Sequence, residues 1–132
     1  MTSIDFASPP TLSTPPGYSH VVSFPASGRM VWTAGQLAID ADGNLAPAGD
    51  WEAQTRLVFA NLGRALAAGG ATWNDVVKVM VFMTDLAGLP VFRAVRDEHV
   101  NTEQPPTSTL VQVASLARPE LLLEVEAVAV VI

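Results

Sequence analysis

Two glutamates, Glu124 and Glu126, are the only charges in the apolar run "LLLEVEAVAVVI" at residues 121–132. Two positions apart on a strand, they point to the same face about 7 Å from each other. Two readings fit: a partly solvated stretch of sheet near an edge or interface, or a carboxylate held between apolar walls. Desolvation raises a carboxylate's pKa, which suits a general acid or a water-activating group. Polar groups also meet an apolar strand in "PPTSTLVQV", residues 105–113, where Ser108 and Thr109 stand at the mouth. Hydroxyls after proline serve a strand-entry turn, or they line a pocket. A serine nucleophile would need a histidine base and an orienting acid. The two histidines, His20 and His99, lie in unrelated segments, and there is no Gly-x-Ser-x-Gly elbow. His99 reads as a helix-face residue and His20 as the start of a strand. Tyr18, the only tyrosine, follows a proline-rich arm as its first ordered residue.

Other chemistries find little support. His20 and His99 are not spaced as a metal pair. "DADGN" resembles the start of a calcium loop, but the twelfth position from Asp40 is Trp51 where a bidentate glutamate is required, so a hairpin bend is expected. "AAGGATW" has neither the spacing of a dinucleotide loop nor a Walker lysine. A net charge of -6, with one lysine and six arginines spread along the chain, offers no basic stripe for nucleic acid. The absence of cysteine excludes disulfides and thiolate chemistry. No signal-like start and no apolar run of membrane-spanning length are present, so a soluble cytoplasmic protein is expected.

The elements that must position these residues can be read from periodicity. At 132 residues, 49% hydrophobic and 15% charged, the chain suits a single domain, 1–132, with a core of its own. Residues 1–17, with prolines among serines and threonines, should form an irregular arm. "SHVVSF" and "RMVWTAGQLAI" read as two strands joined by a turn at "PASG". From Asp50, a plausible N-cap, Trp51, Thr55, Val58, Leu62 and Leu66 recur at helical spacing until Gly69-Gly70 stops the helix. "DVVKVMVFMTD" is a strand. Pro90 opens a second helix in which Phe92, Val95 and His99 share a face, ending near Asn101. "STLVQVASL" and "LLLEVEAVAVVI" are the last strands, around the bend "ARPE". The order β-β-α-β-α-β-β describes an α+β layer in which two helices lie on a sheet.

Both faces of the last strand are apolar: Leu123, Val125, Ala127 and Ala129 on one side, Leu122, Val128 and Val130 on the other. "VVKVMVFM" repeats the pattern. Two helices cover only one face, so the other should be covered by another subunit, sheet against sheet.

Several stretches together resemble the Rid family, the YjgF-like reactive intermediate deaminases once called endoribonuclease L-PSP. "PPGYSH", "VWTAGQLAID", "GDWEAQTRLVFANLGRALAAGGATWNDVVKVMVFMTDL", "PPTSTLVQVASL" and "LLLEVEAVAV" are similar to its successive blocks, in order, over roughly residues 15 to 130. The resemblance implies a chorismate-mutase-like two-layer fold, a mixed sheet with two helices on one face, assembled as a homotrimer with small-molecule clefts between subunits. It also implies hydrolysis of a reactive enamine or imine to a carbonyl compound and ammonia, without cofactor or metal. Carried over residue by residue, the family's glutamate falls on Glu124 and its tyrosine on Tyr18. Its pocket serine falls on Ala34 and its carboxylate-binding arginine on Ser108, beside Thr109. A hydroxyl does not replace the charge or fork of a guanidinium, so an altered substrate specificity is implied. Arg93, Arg96 and Arg118 are arginines that could reach a cleft from another subunit. The alternative is a non-catalytic trimer that binds a small metabolite or client protein on the same fold.

Overall fold

The computed structural model describes residues 4–25 and 27–132. In chain order the strands and helices are β1 (Asp5–Ala7), β2 (Val21–Ser23), β3 (Arg29–Trp32), α1 (Trp51–Ala68), β4 (Val76–Met83), α2 (Leu89–Asp97), β5 (Thr107–Gln112) and β6 (Leu123–Val131). Four strands form one sheet in the order β3-β6-β4-β5. β6 is antiparallel to both β3 and β4, whereas β4 and β5 run parallel. Parallel neighbours need a crossover, and α2 is that crossover. Both helices cover one face of this mixed sheet, giving the expected α+β architecture.

Local chemistry fixes the ends of α1. The Asp50 carboxylate accepts from the Ala53 N–H at 2.9 Å, an N-cap satisfying one of the orphan donors of the first turn. At the other end Gly70 takes a left-handed φ of +83°, and the Ala71 N–H returns to the Leu66 carbonyl. Between them Val58, Phe59, Leu62 and Leu66 are buried against Leu123, Val125, Ala127 and Ala129 of β6. Phe92 and Val95 of α2 complete the core, and His99 packs its ring on Phe59 and Trp73. Arg56 of α1 bridges Glu98 at the end of α2. Its hydrogen bond and charge hold the Glu98 carboxyl below the usual range. No helix among the described residues is long and apolar enough to cross a membrane.

One buried polar residue links α1 to the approach to β6. Gln54 is fully buried; its Nε2 donates to the Glu120 and Pro47 carbonyls, and its Oε1 accepts from the Leu122 N–H. A leucine here would leave the Leu122 donor and the Glu120 acceptor unpaired, each costing about 1 to 3 kcal/mol. Gln54→Leu should therefore lower the unfolding free energy by about 2 to 4 kcal/mol in urea titration.

Three expectations are corrected. β2 does not pair with β3. It pairs with β1, which lies inside the arm expected to be irregular, in a separate two-stranded sheet. The turn at Pro9-Pro10 reverses the arm so that Phe6 lies opposite Val22. Residues 1–3 of that arm and Ala26 of the "PASG" turn lie outside the described residues. The run "RMVWTAGQLAI" is a strand only as far as Trp32. Beyond it, Thr33 and Gln36 bond to Ala127 and Val125 of β6, so two residues, Ala34 and Gly35, stand opposite the single Glu126. This is the two-against-one arrangement of a bulge.

The helix-free face of the sheet carries Met30, Trp32, Met80, Phe82 and Val111, together with Glu124 and Glu126. Trp32 is 71% exposed and Met30 49%. With Val22, Phe24 and Val128 they line an apolar groove of about 360 Å³, with Lys78 and Glu126 among its walls.

Candidate active site

The bulge brings a glycine over the key carboxylate. Gln36 and Val125 exchange backbone hydrogen bonds of 2.8 and 3.2 Å, and the Thr33 hydroxyl accepts from the Ala127 N–H at 3.0 Å. The pinched loop lays Gly35 directly on the Glu124 side chain: a Cβ there would stand 1.9 Å from Oε2. Ala34 adjoins it, with its carbonyl accepting from the Gln36 amide. On β6 Glu124 lies opposite Phe82 of β4, facing away from the helices. Together with Phe82, Val113, Leu116, Ser115 and Glu126 it lines a cleft of about 370 Å³. Thr109 of β5 and Glu126 of β6 flank Met80 on the same face.

Tyr18 and Ser108 meet elsewhere. Ser108 lies opposite the buried Val79 and so points to the helix side of the sheet. Ser19 ties the Tyr18 segment to the entry of β5, donating its N–H to the Pro106 carbonyl at 3.1 Å and its hydroxyl to the Pro105 carbonyl. Tyr18, whose ring packs edge-on against His20, then shares a cleft of about 320 Å³ with Ser108, Phe92, Arg93, Arg96 and Leu110. Within one chain, therefore, the five expected site residues divide in two. Tyr18 and Ser108 lie together in one cleft. Glu124, Ala34 and Thr109 belong to the other face.

One residue escaped the sequence reading, and two were expected in another place. Gly35 is an isolated glycine in a strand-like run, the mark of a bulge or a close approach, and that signal was available. Arg93 and Arg96, expected to reach a cleft from another subunit, line the Tyr18–Ser108 cleft of their own chain. Arg118 instead faces Glu120 at 3.8 Å. Among the described residues no group of three or more His, Asp or Glu side chains is placed to hold a metal ion.

The geometry has counterparts in known proteins. The family model described as Endoribonuclease L-PSP matches residues 11–131. The 3-aminoacrylate deaminase RutC of Acinetobacter baylyi is 31% identical over 116 residues, covering 88% of this chain and 90% of that protein. Among solved structures, YyfB from Yersinia pestis, a protein of unknown function in the conserved Rid family, superposes with a TM-score of 0.83 at 34% identity, over 97% of this chain and 98% of its own. Escherichia coli TdcF, solved with bound serine, gives a TM-score of 0.70 at 32% identity, over 82% and 84%. A match over nearly the whole chain, in sequence and in fold, makes this protein a member of the Rid/YjgF family.

Proposed function

We propose that the protein hydrolyses a reactive imine or enamine to a carbonyl compound and ammonia, with Glu124 as the proton-transfer group, in clefts between the subunits of a homotrimer. The observation that carries this reading is the Glu124 carboxylate, pinned beneath Gly35 at a cleft on the uncovered face of the sheet. The deaminase name of RutC and the serine bound in TdcF support a small amino-compound chemistry.

In the reaction, Glu124 accepts a proton from water as the water oxygen bonds to the carbon of the protonated imine, giving a neutral carbinolamine. The same carboxyl then returns the proton to nitrogen and, as the C–N bond breaks, takes the hydroxyl proton, so that the carbonyl forms, ammonia leaves and Glu124 passes that proton to the ammonia or to solvent. Water and imine become carbonyl and ammonia, with Glu124 regenerated. An enamine enters the same path after protonation at carbon. The division of the site across the sheet supports the oligomer: Glu124 on the open face of one chain would meet Tyr18 and Ser108 from another. Ala34 and Ser108, small side chains where the family carries a serine and an arginine, set an altered specificity.

Ammonia release over a panel of imines, with and without carboxylates, tests the reading. The parent protein should exceed the buffer blank on at least one substrate and the Glu124→Ala chain should not. If neither exceeds it on any, the enzyme reading falls and small-metabolite or client binding takes its place.

A further inference from the structure

Tyr18 is held at its cleft by a series of contacts that begins in the N-terminal arm. Its ring meets the His20 imidazole edge to face, with centroids 5.3 Å apart and planes at 82°, an arrangement that aromatic quadrupoles favour. The imidazole is itself tied down. Its Nε2 lies 2.7 Å from the Ser13 carbonyl; a carbonyl oxygen only accepts, so Nε2 carries the proton and donates it. The His20 backbone N–H donates to the Ser8 hydroxyl at 3.2 Å. Ser8 and Ser13 stand on either side of the turn that reverses the arm, where the Leu12 N–H returns to the Pro9 carbonyl at 3.0 Å. The arm is fixed in turn by the pairing of β1 with β2, which begins directly after His20.

The backbone on both sides of Tyr18 is also set. Ser19 is bonded to the Pro105 and Pro106 carbonyls. Gly17 takes a φ of +96°, and a Cβ there would lie 2.3 Å from Nη2 of Arg96. These contacts place the Tyr18 backbone but leave the two torsions of its half-buried side chain to its neighbours. His20 spans the distance from that ring to the Ser13 carbonyl. Swinging the ring away forfeits the edge contact, and letting the imidazole follow forfeits the hydrogen bond. Each is worth about twofold to tenfold in the population of the held arrangement. Ser8, Ser13, Tyr18 and His20 all lie outside the hydrophobic core, so these contacts direct a ring more than they stabilise the domain.

We propose that His20 is a positioning residue: braced against Ser13 of the arm, it holds the Tyr18 ring in the cleft shared with Ser108, and the arm is thereby part of the site's construction. The inference rests on the deaminase reading for what Tyr18 does there. The positioning itself is measurable without turnover.

Tyr18 is the only tyrosine of the chain, so meta-fluorotyrosine incorporated throughout labels it alone. In fluorine NMR of the full chain the parent resonance should stand away from that of the free amino acid, and His20→Ala should move it toward the free value. His20→Phe keeps a ring against Tyr18 but has no donor for Ser13, and His20→Gln keeps a donor but no ring; each should fall between. On the imine that the parent turns over fastest, His20→Ala should lower kcat/KM for ammonia release about threefold to tenfold. In a Tyr18→Ala background the same substitution should cost nothing further, because the ring it positions is gone. Should His20→Ala lose the parent's circular dichroism, His20→Phe carries both readouts. A fluorine resonance unmoved in the folded variant overturns the proposal. So does an unchanged kcat/KM in a protein that releases ammonia, or a loss that persists in full without the Tyr18 ring. If the parent turns over no imine, the deaminase reading falls, and the fluorine shift alone decides whether His20 holds the ring.

Discussion

A Trp32→Asp chain should run as a monomer in light scattering where the parent runs at three times the 13.9 kDa chain mass. Trp32 lies on β3 opposite Val128 and is 71% exposed in the isolated chain, so nothing in the single domain requires it. Its neighbours on that face are Met30 and the groove formed with Phe24, Met80 and Val128. An apolar surface of this kind, continuous across three strands, is unusual on a protein that works alone. At a packed interface the loss of a tryptophan costs about 2 kcal/mol or more, and the new carboxylate adds the desolvation of a charge. Lys78 and Glu126 both line the groove, so an added acid finds one charge of each sign there. In a closed ring the substitution recurs at every interface, so its effects multiply. Ammonia release should fall with the mass, because Glu124 on one face and Tyr18 on the other would no longer meet. A parent that is itself a monomer, or a Trp32→Asp chain of parental mass, would show that this face is not where the subunits join.

The parts of the fold that sequence made legible are those set by local periodicity and burial. α1 declares itself through Asp50, the apolar spacing from Val58 to Leu66, and the Gly69-Gly70 stop. β4 and β6 do so through apolar runs too short for a helix of that content. The pairing of β1 with β2 was hidden because it involves three residues each, and because the arm returns on itself only once its prolines have turned it. β3 ends at Trp32 for a reason spread over two strands: the bulge exists because Thr33 and Gln36 both bond to β6. In the site, Glu124 was visible as a charge in an apolar strand. Arg96 was named only as a cation for another subunit's cleft; its burial in its own chain was not legible, since an arginine on an amphipathic helix reads as solvated. Its burial depends on a glycine without a Cβ in a distant segment, and on Ser19 holding that segment to the prolines before β5.

Gly35→Ala should nearly abolish turnover in a protein that stays folded. The nearest atoms to an added Cβ are Oε2, Cδ and Cγ of Glu124, at 1.9, 2.7 and 2.8 Å. Contact this close cannot persist, and the carboxylate is the far end of a flexible side chain, so it is the carboxylate that moves. Gly35 does not occupy the left-handed region, so alanine introduces no backbone strain there. Replacing glycine at a compatible position even reduces the freedom of the unfolded chain, by about 0.4 to 1 kcal/mol in favour of folding. The melting temperature should therefore hold or rise. Activity should not: a proton-transfer group displaced by an ångström loses on the order of a hundredfold, whereas removing it as Glu124→Ala forfeits about 10² to 10⁴. If Gly35 acts only through Glu124, the two changes share one mechanism and their effects do not add. The double substitution Gly35→Ala with Glu124→Ala should be no slower than Glu124→Ala alone. Additive losses would mean that Gly35 serves the site by another route, such as close approach of substrate to its backbone, and that Glu124 does not depend on the bulge for its position.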